Sequence, residues 1–488
     1  MQTPFFHIEI PTQAQDHKIL ANILPGADSL AVSEIAAQFN GLTVVVTNDT
    51  RSAVRLEKEL AQLSPLNVTF FPDWETLPYD SFSPHQDIIS ARLSALFHLQ
   101  QRKQGIFILP IATLMQRVCP PSYLQHRVLL INKGDRFVIE TLRLQLEKSG
   151  YRAVEQVLEH GEYAVRGALL DLFPMGSAVP FRLDFFDDEI DSIRTFDVDT
   201  QRTLQEIDQI NLLPAHEFPT DNQGIEFFRS QFRAVFGEIR RDPEHIYQQI
   251  SKGTLAAGIE YWQPLFFEEM ATLFDYFPAN TLFITGEQNQ TQGERFYADA
   301  EQRFESRRVD PMRPLLSPDK LWLRIDEVNR QLKNYPAIAL KTEKVRSSAR
   351  QKNLAITPLP PLTIQSQQKE PLHQLRQFIE HFKGNILFIV ETEGRRETLL
   401  SLLAPLKLKP KQISSLAQAT EEKLALMVSP LEHGFIIEQD VLLAIICESE
   451  LLGERVQQRQ RDKSRTVNPD TLIRNLAELQ IGQPVVHL

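Results

Sequence analysis

The chain has 488 residues, 42% of them hydrophobic and 24% charged, which is too long for one core and ordinary for soluble globular protein. No apolar run approaches the ~18 residues of a membrane span. The opening MQTPFFHIEIPTQ lacks the charged start and apolar core of a signal peptide, and the two cysteines, Cys119 and Cys447, match no metal spacing. No membrane association and a cytoplasmic location are therefore expected. The net charge of −11 excludes a surface that wraps nucleic acid as a whole and leaves only local basic patches.

Residues 1–125 read as α/β. GADSLAVSEIAAQF has the spacing of an amphipathic helix, GLTVVVTND of a buried strand and SAVRLEKELAQL of a second helix. VTFFPD, the helix DIISARLSALFHLQ and the strand GIFILP follow, and this alternation predicts a parallel, doubly wound sheet. None of the 19 glycines is followed by lysine, so the phosphate loop that such sheets often hold has no counterpart here.

Residues 126–212 form a second unit, acidic by sixteen Asp/Glu to ten Lys/Arg, a poor surface for tracking phosphates and a better one for a protein partner. It opens with a strand in HRVLLINKGD and a helix in TLRLQLEKSG, with Gly150 placed as the C-terminal cap. GEYAVRGALLDLFP and FRLDFFDDEIDSIRTFDVD then predict strand, turn and hairpin, with Asp187 and Asp188 in the turn. From Phe181 the period is two. Phe181, Leu183 and Phe185 share one face, and Arg182, Asp184 and Phe186 share the other. An arginine and a large aromatic on the wet face are ingredients of a protein-binding hot spot. The plain alternative is a half-buried hairpin whose Phe186 tucks beneath a neighbouring loop.

In GIEYWQPLFF, Tyr261, Trp262, Phe266 and Phe267 read as core, since no basic run interleaves them as a nucleic-acid stacking platform requires. Residues 336–365, rich in Lys, Arg and Ser and ending in PLPP, read as a linker with little stable structure. A smaller α/β unit spans 366–454. Arg455, Arg459, Arg461, Lys463 and Arg465 then mark 455–470 as a basic, solvated connection. His160 and His433, each in an L-E-H-G string, read as loop or strand-end residues without a metal role.

RGALLDLFP followed by FRLDFFDDEIDSIRTFD resembles the second domain of the bacterial transcription-repair coupling factors, the Mfd family, and more distantly the matching domain of UvrB. DWETLPYDSFSPHQDIISARL, GIEYWQPLFF, PMRPLL and ESELLGERV are similar to that family in the same order. The resemblance implies a degenerate helicase-like sheet built from 1–125 and 213–335, with the α+β unit 126–212 inserted as a UvrA-binding domain. It implies that LPGADSLA (24–31) stands where UvrB has its phosphate loop, and Thr285, Gly286, Glu287 and Gln288 where UvrB has its acidic box. Arg166, Arg182 and Phe186 match positions that contact UvrA, and Asp184 is placed to orient Arg182.

The family further implies a non-catalytic chain that recruits UvrA and uses no cofactor, the N-terminal half of an ATP-dependent DNA translocase. ATP, magnesium and DNA would be bound by motor domains beyond it. RNA polymerase would be held by a domain of which 471–488 is the start. A mainly structural role is implied for 366–454. The alternative is a UvrB-type DNA-dependent ATPase acting directly on damaged DNA, against which both missing motifs weigh.

Overall fold

The computed structural model describes residues 5–237, 240–364 and 370–452. The basic stretch of 455–470 and residues 471–488 lie outside them.

The first unit is the expected parallel sheet. Its strands are β1 (His17–Ala21), β2 (Leu42–Thr47), β3 (Val68–Phe70), β4 (Gly105–Pro110), β13 (Thr281–Thr285), β14 (Ala337–Leu340) and β15 (Gln351–Asn353), in the spatial order 15-1-14-13-2-4-3. Every neighbouring pair is parallel. The uninterrupted apolar runs of β2 and β4 follow from burial on both faces. Helices α1 (Ala27–Gln38), α2 (Thr50–Leu63) and α3 (Gln86–Leu99) connect the first strands. Thr281–Thr285 lies at the centre of this sheet, between β14 and β2. Tyr261, Trp262 and Phe266 are buried, with the Trp262 indole donating to the Pro314 carbonyl at 2.8 Å, so this segment is core.

Two short helices, α4 (Ile111–Leu114) and α5 (Pro121–Arg127), lead to the inserted unit. There β5 (Leu129–Asn132) pairs with β12 (Gln209–Leu212), and α6 (Ile139–Lys148) ends before Gly150, whose φ of 88° suits glycine. A six-stranded sheet follows: β6 (Arg152–Ala153), β7 (Glu162–Arg166), β8 (Leu169–Leu172), β9 (Phe181–Phe186), β10 (Glu189–Phe196) and β11 (Thr203–Ile207), in sequential order. Its inner face buries Leu170, Leu172, Leu183, Phe185 and Ile193 with Leu142 and Leu146 of α6. Polar contacts fix this unit to the first: His160 Nδ1 lies 2.8 Å from the Asp87 carboxylate, and the Gly176 amide donates to the Ser90 hydroxyl at 2.8 Å.

The third unit contains β16 (Ile356–Thr357), β17 (Asn385–Val390), β18 (Lys411–Gln412), β19 (Leu424–Val428), β20 (Phe435–Glu438) and β21 (Leu442–Cys447), in the order 16-20-21-17-19-18. It packs on the first unit, and one apolar cluster joins Leu30, Val32 and Ile35 of α1 to Leu431, Phe435 and Leu443. Helix α1 is therefore enclosed on nearly every side, where an amphipathic helix with one wet face was expected.

The span 336–365 also departs from expectation. It supplies β14, β15 and β16, two of them in the large sheet and one in the third. Composition misled here because the order is non-local. The Asn22 side chain donates to the carbonyls of Leu354 and Ile356, both at 2.9 Å, and Asn353 clamps the backbone of Val345 through its amide.

Candidate functional site

The outer face of the inserted sheet brings the predicted residues together. Register sets the rows: Ala164, Asp171, Arg182 and Arg194 lie side by side across β7 to β10, as do Arg166, Leu169, Asp184 and Ser192. Two tight hairpins hold that register. Gly167 turns β7 into β8 with φ 64°, and Asp187 turns β9 into β10 with φ 56°. A bulge at Asp191 shifts the β9–β10 pairing.

The period-two expectation for β9 holds: Phe181, Leu183 and Phe185 are buried, while Arg182, Asp184 and Phe186 point the other way. Phe186 stands 76% exposed at the strand end, so the alternative in which it tucks under a loop is not what the fold shows. Arg166, the last residue of β7, is half-exposed.

Two expectations are corrected. The carboxylate that orients Arg182 belongs to Asp171, not Asp184. Arg182 Nε and Nη2 donate to the two oxygens of Asp171 at 2.6 and 2.8 Å, a bidentate fork, while Asp184 has no ion pair among the described residues. Arg182 is also not a freely solvated side chain. It lies 5.0 Å over the Phe196 ring, donates through Nη1 to the Gln201 carbonyl at 3.3 Å, and is only 19% exposed. The same Asp171 accepts from Arg166 Nη2 at 3.2 Å. Asp171 was hidden in the sequence as a lone acid within an apolar run. The available signal was its alternation with Leu170 and Leu172, which puts it on the face of Arg182.

The crevice at the carboxyl ends of β1, β2, β13 and β14 is where an open parallel sheet takes a ligand. It is lined by Pro25, Asp28, Asn48, Arg55, Glu287 and Thr342, among others. Asp28 sits in the first turn of α1, accepting from the Ser29 amide at 3.0 Å, and both its oxygens engage Arg55. Arg55 also donates to Glu59 at 2.7 Å. Burial lifts the Glu59 carboxyl to about 7 against the opposing pull of Arg55. Glu287 accepts from the backbone and hydroxyl of Thr342, which lowers its pKa. The helix N-terminus that would attract a phosphate thus faces a fixed carboxylate. No cluster suited to a metal ion occurs among the described residues, and none of their helices is long and apolar enough to cross a membrane.

Residues 129–218 match the UvrB interaction domain, and residues 378–451 match the MFD D3 domain. The chain is thus a multidomain α/β protein whose inserted sheet is a UvrB interaction domain. The transcription-repair-coupling factor of Haemophilus influenzae is 77% identical over all 488 residues, which span 43% of that protein. That of Escherichia coli is 56% identical over 99% of the chain, and that of Bacillus subtilis 25% over 96%. The chain belongs to the transcription-repair coupling factor family, and it spans less than half the length of these curated relatives.

Proposed function

We propose that the chain is the non-catalytic recruitment part of a cytoplasmic transcription-repair coupling factor, and that its inserted domain binds UvrA as UvrB does. UvrA would thereby be brought to RNA polymerase stalled at damage. The observation that supports this best is the pairing of an exposed aromatic, Phe186, with the half-exposed Arg166 and the anchored Arg182 on one face of a domain matching the UvrB interaction domain. Arginine and aromatic side chains dominate hot spots, and a guanidinium fork recognises carboxylates in a way lysine cannot. Asp184, open on the same face, is an additional contact.

The crevice favours this reading over a UvrB-type ATPase. A nucleotide phosphate placed at the start of α1 would meet the Asp28 carboxylate, which already holds Arg55, the nearest cation of the lining, in an ion pair. ATP, magnesium, DNA and RNA polymerase are assigned to other parts of the full-length protein.

Competition tests the proposal. The chain should co-elute with UvrA in size-exclusion chromatography, and added UvrB should displace it. Absence of a complex, or a complex that excess UvrB leaves intact, contradicts a shared surface.

A further inference from the structure

The two arginines of the proposed contact face are not equivalent. Of the five N–H donors of a guanidinium, Arg182 directs its Nε, Nη1 and Nη2 groups into its own sheet, to Asp171 and Gln201, with its plane over Phe196. Among the described residues Arg166 makes a single 3.2 Å contact, to the same Asp171 oxygen that Arg182 Nη2 uses, and is 51% exposed. Asp171 is itself nearly inaccessible, on the strand between the two arginines.

We infer that Asp171 is a positioning residue of the UvrA-binding face. Its carboxylate locks Arg182 as an internal strut and holds Arg166 lightly enough for Arg166 to offer a fork to a partner carboxylate beside Phe186. The inference rests on the reading of this face as the UvrA-binding surface. The partner patch it fits presents an Asp or Glu next to an apolar recess. The carboxylate meets the unused N–H groups of Arg166, and the recess receives Phe186. Arg182 contributes from beneath, by fixing Asp171, which in turn limits where the Arg166 guanidinium rests. A pre-positioned fork binds more tightly because less side-chain freedom is lost on association.

The test is a double-mutant cycle on UvrA affinity, measured by calorimetry on the whole chain, with the melting temperature of each variant as a second readout. Asp171→Asn keeps size and one acceptor and removes the charge. It should weaken UvrA binding about tenfold and lower the melting temperature. In an Arg166→Ala background the same substitution should lower the melting temperature by as much but change affinity less than about twofold, because the group it positions is gone. Equal losses of affinity in both backgrounds would show Asp171 to be structural only and overturn the inference, as would an Asp171→Asn variant that binds like wild type. If Asp171→Asn does not fold, Asp171→Glu takes its place in the cycle. It keeps the charge but displaces the carboxylate by one methylene, and the same outcomes decide. Wild-type chain that fails to bind UvrA overturns the reading of the face and this inference with it. Wild-type binding with no coupling between Asp171 and Arg166 overturns this inference alone.

Discussion

Arg182 and Phe186 stand four residues apart on one strand face, yet their removal should have opposite physical consequences. Phe186 touches little of its own fold, so Phe186→Ala should leave stability within about 0.5 kcal/mol of wild type. Arg182→Ala strips the enclosed Asp171 of its bidentate partner and should cost roughly 3 kcal/mol, because a buried charge is left poorly paired. Urea denaturation of the two variants separates these outcomes, and equal stabilities would contradict the burial argument. Glu260 offers a pH-dependent test of the core beneath. Burial lifts its carboxyl from an ordinary 4.5 to about 7, and the Ser83 hydroxyl donates to it at 2.8 Å. The native state therefore keeps this proton where the unfolded chain releases it. The associated stability is complete below about pH 4.5 and is lost as pH rises through about 7. Glu260→Gln should accordingly raise stability at pH 8 by up to about 3 kcal/mol and change it little at pH 5. Thermal melts across that range check the sign.

At the scale of elements, the junction between the first and third units is made at Gly26. Its φ is +82°, and a Cβ there would lie 2.4 Å from the His433 carbonyl oxygen. Gly26→Ala should cost roughly 2 kcal/mol through strain and the clash, and should raise hydrogen exchange in β20 and β21, on the far side of the contact. Normal exchange there would mean that the third unit does not depend on this contact. The same junction shows what sequence could and could not disclose. The strands β2 and β4 were legible because buried parallel strands are written as continuous apolar runs bounded by turn residues. Helix α1 was read with a wet face because the partner covering that face lies some four hundred positions along the chain. Strands β14 to β16 were read as linker because their order comes from pairing with β1 and β20 and from the amides of Asn22 and Asn353, none of it visible in local composition. On the outer face of the inserted sheet, alternation gave the orientation of Arg182, Asp184 and Phe186. The ion pair to Asp171 needed the β8–β9 register, which a sequence states only once the hairpin is assumed.

At the scale of the whole molecule, the large sheet is parallel throughout, and the crevice at its carboxyl ends holds a carboxylate at the start of α1. Asp28, in the first turn of α1, lies where a phosphate would bind and is paired with Arg55 from α2. The chain should therefore show no DNA-stimulated phosphate release from ATP, and turnover above background would contradict that reading of the crevice. What the scaffold does instead is hold one acidic sheet at a fixed attitude, tied by His160 to Asp87, with Phe186 and Arg166 exposed on its outer face. The measurement that tests this account most directly is calorimetric titration of UvrA into the wild-type chain and the Phe186→Ala variant, with circular dichroism to show both folded. The account predicts saturable binding by wild type and a loss of about thirtyfold or more in the variant, corresponding to a hot spot of roughly 2 kcal/mol. Equal affinity of the two folded proteins for UvrA would contradict it.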